Sequence, residues 1–374
     1  MRVGVDVYQA GFAHGGISRY VRGLVPALAE AGPEDHFTLV SNYFRPREVL
    51  WRHDRPNVCT RSLRVPRRLM QACWDHLAWP PIETLVGPVD VFHGTHFVLP
   101  ATRAARRVLT VHDVMFLRHP EYFSNRSLNE RWHRRELRAA LDRADLVITV
   151  SACTREDLAD LMGIDRARIR AVHSGVEDEF FVREGDPRGA EVRRRYRLDG
   201  PHLVFLVGTP EPRKNLARTV EAARRGAPGV PLVIIGPVAA ITALLQGDSQ
   251  GIRCLGLIPD TDLPLVLHGA EVALYPSLYE GFGFPALEAL AAGVPLITSD
   301  RSALPEVVGK AAVLVNPESA EEMAQAIRSL LNDTERRRKL IAQGRARAKE
   351  LSWDQAARQV LAVYRELLSG GAPA

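Results

Sequence analysis

The sequence predicts an α/β protein made of two Rossmann-like domains, each a parallel sheet covered by helices, and three observations lead there. Short β-branched runs alternate with helical patterns along most of the chain, the arrangement that parallel sheets with helical crossovers require. These runs fall into two series, divided by a charged stretch from Glu177 to Pro201 that carries Gly185, Pro187, Gly189 and Gly200, as a linker would. Finally, 374 residues with 46% hydrophobic and 25% charged content describe a globular chain too long for one typical core. Disordered and collagen-like classes are excluded.

In the first series strands are expected at Val3–Val7, Phe37–Ser41, Val91–His93, Val108–His112, Leu146–Val150 and Ile169–His173. In the second they are expected at Leu203–Val207, Leu232–Ile235, Ile252–Leu255, Val272–Tyr275, Pro295–Thr298 and Val313–Val315. After Gly15-Gly16, the residues Ile17, Tyr20, Val21, Leu24 and Leu28 share one helical face until Gly32-Pro33, with Pro26 arguing against a straight helix. Another arginine-rich pattern covers Arg126 to Arg143, with Leu128 and Trp132 nearly opposite Leu137 and Leu141. The last helix is expected from Ser352 and Trp353 through Leu368, with Ala356, Val360, Val363, Tyr364 and Leu367 on one face.

The charge balance, 49 basic against 44 acidic residues and a net +5, is too small to indicate a nucleic-acid binder. Only Lys214, Lys310, Lys339 and Lys349 are lysines; arginine supplies the remaining basic residues, a compositional habit rather than a chemical signal. Cys59, Cys73, Cys153 and Cys254 form no CxxC pair and no zinc-type cluster, so neither a disulfide scaffold nor a metal site is expected, and a reducing cytoplasmic compartment fits. The first residues, Met1 to Val7, lead directly into a strand pattern with no signal-peptide grammar. The longest uncharged stretch, Gly226 to Gly247, is broken by Pro228, Pro231, Gly236 and Pro237 into a strand and a separate helix, not a membrane span.

In parallel α/β sheets, ligands bind beyond the carboxyl ends of strands, where helix starts offer N–H groups to anions. Two loops of the second series answer that description. Residues 275–293 read YPSLYEGFGFPALEALAAG: a strand end, a loop with Gly281 and Gly283, and Pro285 in the first helical turn. From Gly281 to Ser299 the only charged residue is Glu288, in apolar company. It requires a distant cation or ligand hydroxyls if buried, and nothing special if it lies on the outside of a surface helix. Glu280 has the same two readings, functional or solvated loop. The string also matches GxGxxA at Gly281, Gly283 and Ala286, with Asp300 beyond. A dinucleotide fingerprint needs those glycines directly after the strand, however, and five residues intervene, Glu280 among them.

The other loop, GTPEPRKNL at 208–216, follows a strand and precedes a helix. Lys214, the only lysine in the first 309 residues, stands there beside Arg213, a pair suited to a diphosphate and equally compatible with a solvated turn. The first series adds Gly15-Gly16 before a helix, a candidate phosphate cradle, and His112-Asp113 at a strand end. The latter pair could be catalytic, orient a hydroxyl, or cap the loop to residue 120.

GGISRY at 15–20, His112-Asp113, VHSGV at 172–176, EPRKN at 211–215 and the Glu280/Glu288 pair stand in an order that resembles the retaining GT-B glycosyltransferases of family 4. The resemblance covers nearly the whole chain. It implies a first, acceptor-binding domain over residues 1–182 joined by the returning helix 353–374, and a second, nucleotide-sugar-binding domain over 183–352. It implies Arg213 and Lys214 on the diphosphate and Glu288 on the ribose hydroxyls. Glu280 with the backbone amides of Gly283 and Phe284 would hold the donor sugar, and Gly208 belongs to the same donor loop. Gly15 and Gly16 would approach the diphosphate, and His112 would contact the transferred sugar. Many relatives carry arginine after the glycine equivalent to Gly208, where this chain has Thr209.

The resemblance further implies an NDP-sugar donor, with a mannosyl donor preferred and UDP-glucose the rival, and no metal or other cofactor. The acceptor would be a glycan, a lipid-linked sugar or a small molecule in bacterial cell-surface polysaccharide or glycolipid synthesis. A non-catalytic nucleotide-sugar-binding protein is the alternative that an intact Lys214, Glu280 and Glu288 set disfavours. Arg64, Arg67 and Arg68 precede Leu69, Met70, Cys73, Trp74 and Leu77, apolar positions expected on one helical face. This helix is read either as core-packed with solvated arginines or as a peripheral contact with the inner face of a membrane.

Overall fold

The computed structural model describes residues 1–12, 15–42, 55–122, 126–208 and 210–370, with the side chains of 126–131 outside that description. The chain divides into two compact units, Met1–Gly175 with Trp353–Ala374, and Val176–Ser352.

The first unit is built on a parallel sheet of order β3-β2-β1-β4-β5-β6-β7. Its strands are β1 (Arg2–Asp6), β2 (His36–Ser41), β3 (Val58–Ser62), β4 (Val91–Gly94), β5 (Arg106–Val111), β6 (Leu146–Thr149) and β7 (Ile169–Ala171). Central strands such as β4 and β6 are buried throughout, which is why neither shows the apolar–polar alternation of a half-exposed strand. β3 is an addition to the expected set. It is an edge strand whose Cys59 and Arg61 face solvent, and with no buried apolar row it left no periodic signal.

The helix Gly16–Ala31 begins at Gly15, whose φ of 128° suits glycine. It buries Tyr20, Val21, Leu24 and Leu28, continues through Pro26, and stops at Gly32. The final helix, Trp353–Leu368, buries Ala356, Val360, Val363, Tyr364 and Leu367 and packs on Gly16–Ala31. A Cβ on Gly23 would overlap the Trp353 indole, so the two backbones approach there only because Gly23 has no side chain. Beneath them, His93 Nδ1 meets the Tyr364 hydroxyl at 2.6 Å and His93 Nε2 meets Thr110 Oγ1 at 2.7 Å. The Tyr20 hydroxyl reaches the same Thr110 at 3.2 Å. Every member is buried, so the network fixes the last helix on β4 and β5 by satisfying polar groups that would otherwise be costly. Burial holds His93 neutral, its pKa down at about 3.

The second unit carries a parallel sheet of order β10-β9-β8-β11-β12-β13. Its strands are β8 (Leu203–Leu206), β9 (Leu232–Ile235), β10 (Ile252–Gly256), β11 (Val272–Tyr275), β12 (Leu296–Ser299) and β13 (Val313–Val315). Its core gathers Phe205, Ile234, Leu274, Ile297, Met323 and Ile327, among others. The uncharged stretch resolves into β9 and the helix Val238–Leu244.

Two expectations change. The division between units falls after Gly175, not after 182. Val176 donates its N–H to Leu351 O at 3.2 Å and bridges Ser352, and Val182 O accepts from Arg345, so 176–182 is bound into the second unit. In the helix Arg67–Leu77, Met70 and Trp74 are buried whereas Leu69 and Leu77 are 57% and 68% exposed. The five apolar positions therefore do not share one buried face. In Arg126–Arg143, Leu137 and Leu141 enter the core and Trp132 is exposed; the side chain of Leu128 lies outside the described residues. No helix among the described residues is long and apolar enough to cross a membrane.

Candidate active site

The order of the second sheet reverses between β8 and β11, the first built outward to β9 and β10 and the second to β12 and β13. Adjacent loops leave the carboxyl ends of such strands in opposite directions and open a crevice, the place where ligands bind in doubly wound folds. The loops after β8 and β11 are those that carry Arg213-Lys214 and Glu280.

After β8 the chain turns at Gly208, whose φ is 59°; Thr209 lies outside the described residues. A short turn, Pro212–Lys214, follows, and Asn215 takes a left-handed conformation with φ 60° before the helix Leu216–Gly226. That strain is held by the buried Asn215 amide, which donates to Pro276 O at 3.1 Å and Pro317 O at 2.6 Å. Leu278 N–H donates to Arg213 O at 2.8 Å, so the two loops are stitched together.

Within this frame Lys214 is 7% exposed. Its Nζ donates to Glu280 Oε1 and to the Tyr275 hydroxyl, each at 2.7 Å. The Tyr275 hydroxyl in turn donates to Glu280 Oε1 at 2.8 Å. Arg213 Nη1 donates to Glu280 Oε2 at 2.6 Å and to Tyr279 O at 3.3 Å, while its Nε donates to Glu211 Oε2 at 2.6 Å. Glu280 is fixed from behind by its own N–H donating to Ser302 Oγ at 3.0 Å. Burial alone would raise the Glu280 carboxyl, but the Lys214 and Arg213 charges, with hydrogen bonds from Lys214 and Tyr275, override it and leave the pKa at about 2. Burial lowers the Lys214 pKa, helped by Arg213 and opposed by Glu280.

Arg213, Lys214 and Glu280 are thus one network, buried at Lys214 and Glu280 and half-buried at Arg213, in which the carboxylate orients both cations. A solvated basic turn is ruled out for Lys214, as is a solvated loop for Glu280. Glu288 is 2% exposed, on the helix Phe284–Ala292, which removes the surface-helix reading. Gly283 starts that helix with φ 101°, and a Cβ there would lie 2.6 Å from Leu304 Cδ2. Phe284 follows, edge-on to Phe282 at 5.2 Å. Tyr275, Ser302 and Glu211 were not singled out from sequence, because each acts only through Glu280 or Arg213. A tyrosine closing β11 gives no sign by itself that its hydroxyl bridges a lysine and a glutamate.

Gly15, Gly16 and His112 belong to the first unit. Gly15 and Gly16 are exposed at the start of their helix. His112 follows β5, its Nε2 2.8 Å from Thr95 O and its ring edge-on to Tyr20 at 4.8 Å. Burial lowers its pKa to about 4, with the Thr95 bond opposing, so it is neutral at pH 7. A nitrogen facing a carbonyl must carry the proton, which makes Nδ1 the accepting side. Asp113 Oδ1 accepts from Met115 N–H at 3.1 Å and caps the following turn. No cluster of three or more metal-ligating side chains occurs among the described residues.

Two parallel-sheet units, with a buried lysine and glutamate and a half-buried arginine at the switch point of the second, define a GT-B glycosyltransferase. A family model for glycosyl transferases group 1 matches residues 190–347 and one for glycosyltransferase family 4 matches 14–180. The O-antigen chain mannosyltransferase B of Escherichia coli is 32% identical over 287 residues, 74% of each chain. The MMP alpha-(1->4)-mannosyltransferase of Mycolicibacterium hassiacum is 32% identical over 60% of this chain and 54% of its own. Among solved structures, the sucrose-phosphate synthase of Thermosynechococcus elongatus aligns over 99% of both chains with a TM-score of 0.80 at 24% identity. Anabaena HepE, solved with UDP and glucose, aligns over 98% of this chain and 100% of its own at 0.75 and 17%. The chain belongs to the family 4 glycosyltransferases.

Proposed function

We propose that this enzyme transfers a hexose, mannose in preference to glucose, from a nucleoside diphosphate sugar to an acceptor hydroxyl with retention of anomeric configuration, in bacterial cell-surface polysaccharide or glycolipid synthesis. The observation that carries this reading is the Arg213–Lys214–Glu280 network at the switch point of the second sheet. Two cations oriented by one carboxylate suit a leaving diphosphate, whose charge grows as the sugar–phosphate bond breaks. The identity to mannosyltransferases supports the sugar.

In this reading the bond between anomeric carbon and phosphate oxygen breaks through an oxocarbenium-like transition state, and the electron pair stays on the diphosphate. The acceptor hydroxyl bonds to the anomeric carbon from the same face and gives its proton to the leaving phosphate, so no protein nucleophile is used. Arg213 and Lys214 stabilise the diphosphate. Glu280 keeps both cations in place and, with the amides of Gly283 and Phe284, meets the sugar hydroxyls, while Glu288 takes the ribose hydroxyls. Gly208 lets the donor loop turn, and Gly15-Gly16 offer a helix start to the phosphates. His112 accepts from a sugar hydroxyl through Nδ1. No metal is assigned a part. The test is a donor panel, GDP-mannose and UDP-glucose included, with glycan and lipid-linked acceptors. Release of a nucleoside diphosphate and an NMR-assigned retained linkage are expected; an inverted linkage, or no release from any donor, contradicts the proposal.

A peripheral membrane contact has its own support. Leu69, Leu77 and Trp79 are 57%, 68% and 63% exposed, in a segment whose Arg64 and Arg68 are also exposed, a composition suited to an anionic interface.

A further inference from the structure

The first sheet has a switch point of its own. β1 lies between β2 and β4, with β2 and β3 built to one side and β4 through β7 to the other. Beyond the carboxyl ends of β1 and β4 lies a crevice of about 30 Å³, bordered by Asp6, Tyr8, Arg67, Trp74, Phe92 and Val98, among others. That volume holds roughly one or two water-sized groups.

Two of its bordering groups are charged, Asp6 and Arg67. Asp6 closes β1, its backbone pinned by Thr95 Oγ1 donating to Asp6 O at 2.8 Å. Among the described residues its carboxylate takes one hydrogen bond, from Tyr8 N–H to Oδ1 at 2.9 Å. The Arg67 guanidinium carbon sits over the Tyr8 ring, 4.1 Å from its centroid, a cation–π placement. Burial raises the Asp6 carboxyl above its ordinary pKa, and the Arg67 charge opposes this. A donor entering the crevice would relieve that burial cost.

We infer that this crevice is a subsite for a neutral sugar unit of the acceptor, one hydroxyl or hydroxymethyl of which donates to Asp6 and accepts from Arg67. A carboxylate and a guanidinium bordering one crevice, near enough for the Arg67 charge to act on Asp6, are matched by a group that both donates and accepts. An anion would meet Asp6 unfavourably and a cation Arg67, while the apolar border of Trp74, Phe92 and Val98 suits the methylene of an entering hydroxymethyl. Arg67 is thereby removed from the arginines available to a lipid headgroup. The inference rests on the proposed transferase reading only in naming this sugar the acceptor.

The test uses ligand-observed NMR on the full chain with methyl α-mannopyranoside and methyl α-glucopyranoside as neutral probes and glycerol 3-phosphate as the anionic one, with GDP and UDP binding measured separately by calorimetry. A neutral glycoside should bind the wild type, with affinity about 10- to 100-fold lower in Asp6→Asn and in Arg67→Met, as expected for losing a hydrogen bond to a charged group. Arg67→Met keeps packing on Tyr8 and so stands in should Asp6→Asn not fold. Undiminished binding in either folded variant overturns the inference, as does failure of both glycosides to bind the wild type, or binding of glycerol 3-phosphate in their place. Asp6-dependent glycoside binding without any nucleotide binding would uphold the subsite and overturn the transferase reading; nucleotide binding without glycoside binding would do the reverse.

Discussion

Glu280 sets the state of the residues around it. A glutamate carboxyl ordinarily titrates at 4.5, and here it is held at about 2 because Lys214 and Arg213 outweigh the burial that would raise it. The group therefore contributes stability that is complete above about 4.5 and is lost as pH falls through about 2, and the difference between the two values corresponds to about 3 kcal/mol. Glu280→Gln should lower the stability of the second unit by about that amount at pH 7, leaving the buried Lys214 and half-buried Arg213 charges under-compensated. In urea unfolding the gap to wild type should narrow as pH is brought from 5 towards 2. A gap that stayed constant across that range would mean that the carboxylate charge is not what the cations require.

At the level of elements, the approach of Gly16–Ala31 to Trp353–Leu368 depends on Gly23. Gly23→Ala forces the Trp353 indole to move and should cost the first unit about 1–3 kcal/mol, read as a lowered unfolding midpoint with nucleotide binding in the second unit kept. An unchanged midpoint would show that the indole yields freely. The same elements show what could be read in advance. Both helices, and the strands buried on both faces, announced themselves through unbroken apolar runs and one-sided stripes. β3 did not, since an edge strand with Cys59 and Arg61 outward has no such row. The strand-to-helix loops exposed Lys214, Glu280 and Glu288 by their unusual charge, but the bonds among Lys214, Tyr275 and Glu280 depend on two loops meeting in space, which no spacing encodes. The stripe after Arg67 was misread for a related reason: Leu69 and Leu77 are apolar yet exposed, and composition does not say which side of a helix the sheet covers.

Across the whole molecule, each unit places charged side chains at the reversal of its own sheet, Asp6 and Arg67 in one and a lysine–arginine–glutamate network in the other. A net charge of +5 adds little long-range steering, so membrane contact should depend on the local patch. Co-sedimentation with anionic vesicles should fall when Leu69 and Leu77 are both changed to serine, whereas neutral vesicles should bind neither form; equal sedimentation of both proteins would remove the patch from the account. The central claim, that Lys214 stabilises a leaving diphosphate, is tested most directly by turnover of Lys214→Ala at saturating NDP-sugar, with folding checked by its melting curve. Loss of one such charge-stabilising donor predicts transfer slower by about 100-fold or more; turnover equal to wild type in the folded variant would contradict it.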